Sequence, residues 1–136
     1  MELRVISAAD VEAVLPMGEC VEIMARALET QGITSMLDHL GENVKSPEQA
    51  LAAREAYLAG LAAIAGSQGL QAAISVKLTQ LGLDESIEAC WANLEPILAA
   101  AEPAGTLVMI DMESHVYVDR TLEVLRLAHA RWPGPG

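Results

Sequence analysis

The sequence predicts an α/β fold in which helices cover a parallel sheet, and two features indicate it. Strand-like and helix-like stretches alternate three times after Gly32, in units of roughly 35 to 40 residues. The short connection from each strand to its helix implies parallel neighbours with right-handed crossovers. At 136 residues, the chain is long enough for one domain with a substantial core.

Each predicted strand is a short apolar run followed by charged or polar residues. The strands are Ile33–Leu40, Ala72–Leu78 and Thr106–Asp111. In the second strand Ile74, Val76 and Leu78 alternate with small or polar residues, which is the period of a strand with two different faces. The polar face carries Lys77 near the end of the strand, where a charge needs a partner or a function.

The helices are predicted from cap signals. Ser46-Pro47-Glu48-Gln49 is a helix start with a cap, a first-turn proline and a capping-box glutamine, and this helix continues to Ala65. Asp84 is predicted to cap a helix to about Ala101 that Pro96 should kink. Asp119 is predicted to cap a last helix to about Arg131. The uncharged interval Leu58–Val76 is broken by Gly66–Gly69, so no membrane span is predicted.

Residues 1–30 are predicted to form a separate unit of one strand and two helices. The sequence RVISAADV, followed by LPM and an amphipathic helix, resembles the start of the ornithine cyclodeaminase and mu-crystallin family. In that family the opening segment belongs to the catalytic and dimerisation domain. No GxGxxG follows a strand here, so no nicotinamide site is predicted. The expected division is therefore residues 1–30 and 31–136.

Composition excludes several classes of function. The net charge of −11 leaves no basic stripe for nucleic acid. Cys20 and Cys90 are far apart and lack metal-ligand spacing, as do the three histidines, so no metal is expected. We interpret both cysteines as reduced thiols of a cytoplasmic protein. The polar residues that follow Glu2 and Arg4 argue against a signal peptide.

Charged residues lie at the ends of all three predicted strands: Asp38 with Glu42 after it, Lys77, and Asp111 with Glu113 after it. Eight such units would total about 300 residues, the range of a TIM barrel, so we predict a partial (βα)8 barrel of three βα units. Its active site would lie at the C-terminal strand ends. Lys77 between carboxylates would remain a cation, suited to an anionic substrate or an electron-rich ring. A salt-bridged network that only shapes the rim fits the spacing equally well.

Three motifs in this order carry a second resemblance. TSMLDHLGENV, AISVKLTQLGLD, and LVMIDMES followed by DRTL resemble the first three barrel strands of the FAD-dependent proline dehydrogenases. The resemblance covers about Gly32–Gly136 and implies a distorted (βα)8 barrel that oxidises L-proline to pyrroline-5-carboxylate. It implies that Lys77 lies against the flavin and helps to bind the proline carboxylate. It also implies that Asp111 lies at the flavin and substrate pocket.

The same resemblance assigns the remaining site residues. Glu42 matches the LGE glutamate that can pair with a substrate-gripping arginine late in the family's chain, and Asp38 is its strand-end neighbour. The implied catalytic residues are Lys77 and Asp111. The implied substrate contacts are Lys77, Asp38 and Glu42, and the implied FAD contacts are Lys77, Asp111 and Glu113.

Several family elements have no counterpart in the sequence: a later strand with a glutamine, an arginine at the flavin, and a helix with a tyrosine and paired arginines. We therefore expect an incomplete and inactive fragment with weak or no flavin binding, which is poorly stable or associates with itself through exposed sheet edges. One alternative is a non-catalytic remnant of a fusion or truncation joined near Thr30–Gly32. Another is an ornithine cyclodeaminase-like enzyme, which the absent dinucleotide motif disfavours.

Overall fold

The computed structural model describes residues 35–41, 43–67 and 72–133. Within these ranges three strands form one sheet, and a helix follows each strand. The elements are β1 (Ser35–Asp38), α1 (Pro47–Gly66), β2 (Ala72–Val76), α2 (Ile87–Ala104), β3 (Val108–Ile110) and α3 (Val118–Arg131). This alternation confirms the predicted α/β class. The predicted unit at residues 1–30 lies outside the described residues.

The sheet has the order β1-β2-β3, and both strand pairs are parallel. Asp38 lies opposite Ser75, and Val76 lies opposite Ile110. The predicted parallel pairing is therefore correct. Because the strands run in one direction, their carboxyl ends meet at one edge of the sheet.

The core lies between the sheet and the three helices. It is largely aliphatic, as a chain without phenylalanine requires. Its fully buried side chains come from the segment after β2 and from the inner faces of the helices, and they include Leu78, Leu81, Leu83, Leu94, Ile97 and Val124. Burial of these side chains stabilises the fold by holding the helices on one face of the sheet.

Helix α1 begins as the sequence predicts. Ser46 is its N-cap and accepts a hydrogen bond from the Gln49 N–H at 3.3 Å, while Pro47 occupies the first turn. The helix ends at Gly66, one residue beyond the expected end. No helix in the described ranges combines the length and the apolar character needed to cross a membrane.

The predicted caps of the other two helices are wrong. The Ser86 hydroxyl accepts the Ala89 N–H at 3.0 Å, so Ser86 and not Asp84 is the N-cap of α2. Helix α3 starts one residue before Asp119, without a side-chain cap hydrogen bond. Asp119 therefore lies in the first turn, where a carboxylate still favours the helix dipole.

The strands are shorter than predicted. β2 ends at Val76 because the chain turns into a 3₁₀ turn at Leu78–Leu81, and a second such turn, His115–Tyr117, follows β3. β1 ends at Asp38 and β3 ends at Ile110. The charged residues therefore lie at the strand ends or directly after them.

The sheet face opposite the helices exposes apolar side chains. Met36 on β1 is 50% exposed and Met109 on β3 is 42% exposed, while Leu107 before β3 is 62% exposed. Beside β3, a largely apolar groove of about 710 Å³ runs along α2 and α3 to Trp132. An apolar surface of this kind is typical of a face that packs against further protein.

Two glycines provide a matched test of how backbone conformation affects stability. Gly105 ends α2 with a φ of 62°, whereas Gly60 lies inside α1, and an added Cβ at either position would meet no atom within 4 Å. We expect Gly105→Ala to lower the free energy of unfolding by about 1 kcal/mol, because alanine resists the left-handed region. Gly60→Ala should raise it by about 0.5–1 kcal/mol. Urea unfolding measures both, and equal stability of the two variants would contradict this geometry.

Candidate active site at the carboxyl edge of the sheet

The strand ends bring three predicted site residues together. Asp38 is the last residue of β1, Lys77 follows β2 and Asp111 follows β3. Asp38 pairs with Ser75, two residues before Lys77, and the Asp111 N–H donates to the Val76 carbonyl at 3.0 Å. Because side chains alternate along a strand, these residues project from the same face. The predicted convergence at one edge is therefore present.

Lys77 bridges the two carboxylates. Its Nζ lies 2.9 Å from Asp38 Oδ2, 3.0 Å from Asp38 Oδ1 and 3.2 Å from Asp111 Oδ2. The lysine side chain is only 15% exposed, whereas the two aspartates are 37% and 33% exposed. The hydrogen bond to Asp38, supported by Asp111, raises the pKa of Lys77 well above its ordinary value of 10.5. Lys77 is therefore a fixed cation at neutral pH.

Asp111 is held by a second contact that the sequence analysis missed. The buried Ser75 hydroxyl donates to Asp111 Oδ1. This hydrogen bond, together with Lys77, lowers the pKa of Asp111 below its ordinary value. Ser75 lies two residues before Lys77 on the same face, which is the one sequence signal that could have identified it. The serine orients Asp111 and keeps its carboxylate ionised.

Lys77 and Asp111 line a cleft of about 330 Å³. Its walls are formed by the loops that follow the strands, and its lining includes Asn43, Met112, Glu113, Ser114 and Tyr117 beside Lys77 and Asp111. The Tyr117 hydroxyl donates to Asp84 Oδ1 at 2.7 Å, which ties the cleft wall to the loop before α2. A ligand in the cleft would meet a lysine whose three N–H donors face three carboxylate oxygens, two of Asp38 and one of Asp111.

Glu113 contacts the neighbouring loop. Its Oε2 accepts the Thr79 N–H at 3.0 Å, and its Oε1 accepts the Thr79 hydroxyl at 2.5 Å. Thr79 is fully buried and also accepts the Asn43 N–H at 3.2 Å. Glu113 therefore joins the loops after β2 and β3. The fifth predicted residue, Glu42, lies outside the described residues.

These contacts predict that Asp111 stabilises the fold in a pH-dependent way. The Asp111 pKa in the folded chain lies below the ordinary 3.8, so the stabilisation is fully present above that value and is lost as the pH falls through the folded pKa. We expect Asp111→Asn to be less stable than the wild type at neutral pH. The difference should shrink below about pH 4.

Urea unfolding across a pH series measures this difference. Glu123→Gln, at an exposed position on α3, is the matched control and should show little change at any pH. A deficit of Asp111→Asn that persists undiminished at the lowest pH would contradict an ionised, hydrogen-bonded Asp111.

A parallel sheet with a paired lysine at its carboxyl edge is typical of α/β proteins whose ligands lie beyond the strand ends. The sequence profile described as "Proline dehydrogenase" matches residues 21–133. The chain belongs to the proline dehydrogenase family. The match begins inside the segment that resembles the ornithine cyclodeaminases, and the predicted division at residue 30 stays a prediction.

Individual relatives agree with this family. Proline dehydrogenase 2 of Bacillus subtilis is 39% identical over 101 residues, covering 74% of this chain and 33% of the relative. The Proline dehydrogenase of Deinococcus radiodurans is 36% identical over 115 residues, covering 80% and 37%. The chain thus spans about a third of the length of these curated relatives.

A solved structure has a similar fold. The crystal structure of proline utilization A from Bdellovibrio bacteriovorus, inactivated by N-propargylglycine, superposes with a TM-score of 0.66. The superposition covers 82% of this chain and 14% of the other, at 22% sequence identity. At this identity the similarity concerns the fold alone.

Proposed function

We propose that the chain provides the first three βα units of a (βα)8 proline dehydrogenase barrel and the part of its active site that binds L-proline beside FAD. The observation that carries this proposal is the Lys77 ammonium, held at 2.9 Å from Asp38 and 3.2 Å from Asp111 at the edge of a cleft. The enzyme so formed would be an oxidoreductase of proline catabolism.

The charge arrangement suits a zwitterionic amino acid. An N–H of Lys77 that now faces one of the two Asp38 oxygens would turn to the proline carboxylate and donate a charge-assisted hydrogen bond. Asp38 and Asp111 together exceed the lysine by one negative charge, which favours the cationic amine of the same ligand. In this proposal Lys77 binds the substrate, Asp111 contacts substrate and cofactor, and Asp38 orients Lys77.

The residues fit a flavin ring. The ring would lie against the sheet face that exposes Met36 and Met109, where the side chains of β2 between them, Ala73 and Ser75, are small and buried. Lys77 and Asp111 would hold the ring, and Glu113 would support them through Thr79. FAD, when bound, would accept the hydride that L-proline loses, which carries both electrons of the oxidation. Glu42 remains a proposed substrate-side residue on the family resemblance.

A cytoplasmic location belongs to the same proposal. Cys90 is a buried free thiol, and burial raises its pKa to about 12. Such a thiol resists oxidation, because the thiolate is the reactive form. A structural cysteine of this kind fits a reducing compartment.

A hybrid protein tests the function. Residues 1–133 of this chain would be joined to the remaining C-terminal part of Bacillus subtilis Proline dehydrogenase 2, with the junction after α3. We expect the hybrid to bind FAD and its flavin absorbance to bleach when L-proline is added. The relative's C-terminal part alone is the control and should not bleach. A folded hybrid that binds FAD but is not reduced by L-proline would contradict the proposal.

The exposed sheet face favours a second candidate, a non-catalytic chain that associates with itself. Met36, Leu107 and Met109 would lose contact with water if two sheets met. Sedimentation of the 136-residue chain with Met36→Lys and Met109→Lys tests it. We expect both substitutions to weaken association, whereas a monomeric wild type would exclude this candidate.

A further inference from the structure

The 3₁₀ turn that follows Lys77 contains a buried glutamine that the proposed chemistry does not use. Gln80 is 2% exposed, and its Nε2 donates to the His39 carbonyl at 2.9 Å and to the Gly41 carbonyl. Its Oε1 accepts the Tyr57 hydroxyl at 2.6 Å. Both carbonyls are acceptors only, so these partners fix the orientation of the side-chain amide.

The hydrogen bonds from Gln80 to the His39 and Gly41 carbonyls require the chain after β1 to approach Gln80 closely. Gly41 has a φ of 142°, and a Cβ added there would lie 2.9 Å from Gln80 Nε2. Asn43 follows with a φ of 52°, a left-handed conformation that asparagine tolerates better than most residues. Its N–H is bonded to Thr79, the neighbour of Gln80. The turn after β2 therefore holds the chain after β1 at three points.

Tyr57 connects the same glutamine to Lys77. The tyrosine is 3% exposed, and besides donating to Gln80 it accepts the Lys77 backbone N–H at 3.4 Å. Its ring lies edge-on to His39, with centroids 5.5 Å apart. Tyr57 on α1 thus contacts the backbone of Lys77, and Gln80 contacts the residue next to Asp38.

We propose that Gln80, braced by Tyr57, is a positioning residue that fixes the end of β1 relative to β2 and so sets the Asp38–Lys77 ion pair. Buried polar groups hold one geometry when every partner is satisfied, and no buried side-chain nitrogen or oxygen in the described residues lacks a partner. The proposal rests on the proposed function only for the role of Lys77 toward substrate. It is tested without FAD or proline, so the two can fail separately.

The test is hydrogen exchange by NMR in the whole chain. Gln80→Met preserves approximate shape but removes the amide. We expect it to speed exchange of the Lys77 ammonium protons and the Asn43 amide about tenfold or more, as for loss of a hydrogen bond. Amides of α2 should keep their wild-type protection. Glu123→Met, at an exposed position on α3, is the control for introducing a methionine and should leave Lys77 and Asn43 unchanged.

Gln80→Glu separates positioning from packing. Its protonated carboxyl can donate to one carbonyl, whereas its carboxylate would face two carbonyl oxygens without a proton. We expect near-wild-type exchange at Lys77 and Asn43 at acid pH and faster exchange at neutral pH, compared with the wild type at each pH. An effect that does not depend on pH would overturn the proposal.

Two other results would also overturn it. One is unchanged exchange at Lys77 and Asn43 in Gln80→Met, or an increase shared by all amides. The other comes from the wild type alone, so it can be measured even if the substituted chains do not fold. The side-chain amide protons of Gln80 in the wild type should be shifted and slow to exchange, and exchange at the rate of free glutamine would refute the bonds to His39 and Gly41.

Discussion

Lys77→Met should greatly reduce proline oxidation by the hybrid protein. The substitution removes the cation that would meet the substrate carboxylate and leaves Asp38 and Asp111 facing each other. A hydrogen bond to a charged group contributes about 1.5–3 kcal/mol, so kcat/KM for L-proline should fall on the order of ten- to hundredfold. The loss should appear mainly in KM if Lys77 binds substrate and transition state alike.

Lys45→Met provides the matched control. Lys45 is an exposed lysine in the loop before α1, outside the cleft that Lys77 lines. The control variant should retain wild-type kcat/KM, which excludes a general effect of removing one positive charge from an acidic chain. Equal activity of the Lys77→Met and wild-type hybrids would contradict the assignment of Lys77 to the substrate.

Leu78→Ala should be the most destabilising single change considered. Leu78 is fully buried beside Lys77 in the turn after β2. Loss of a buried leucine costs about 2–5 kcal/mol through lost transfer energy and a residual cavity. Since small domains are stable by only about 5–15 kcal/mol, this variant should lose a large share of its stability.

Leu40→Ala removes the same atoms from an exposed position. Leu40 is 86% exposed, so its truncation should change the free energy of unfolding by less than about 0.5 kcal/mol. Urea unfolding followed by circular dichroism measures both variants. Similar midpoints for the two would contradict the core position of Leu78.

Local signals account for the part of the fold that the sequence predicts. The period-two pattern around Ile74 and Val76 identified β2, and Ser46 with Pro47 identified the start of α1, because strand faces and helix caps depend on neighbouring residues. The cap of α2 was misassigned because Asp84 and Ser86 are both good cap residues. The choice between them follows from the 3₁₀ turn and Gly82, which adopts a φ of 95°.

Only the site residues at the strand ends could be predicted from the sequence. Asp38, Lys77 and Asp111 each follow an apolar run, and parallel strands bring their ends together. The contacts of Tyr57 with Gln80, and of Gln80 with His39, join residues that are 23 and 41 positions apart. No local pattern encodes such contacts. A glutamine inside the apolar run LTQLGL was the only hint, since a buried amide needs partners.

In the proposed enzyme the Lys77 ammonium, held by Asp38 and Asp111, receives the carboxylate of L-proline. The most direct measurement is the NMR signal of that ammonium in the FAD-loaded hybrid, with the flavin reduced beforehand, during titration with L-proline and, separately, with pyrrolidine, which lacks the carboxylate. We expect L-proline to shift the Lys77 signal saturably and pyrrolidine to leave it nearly unchanged. Equal responses to the two compounds, or no response to L-proline, would contradict the claim.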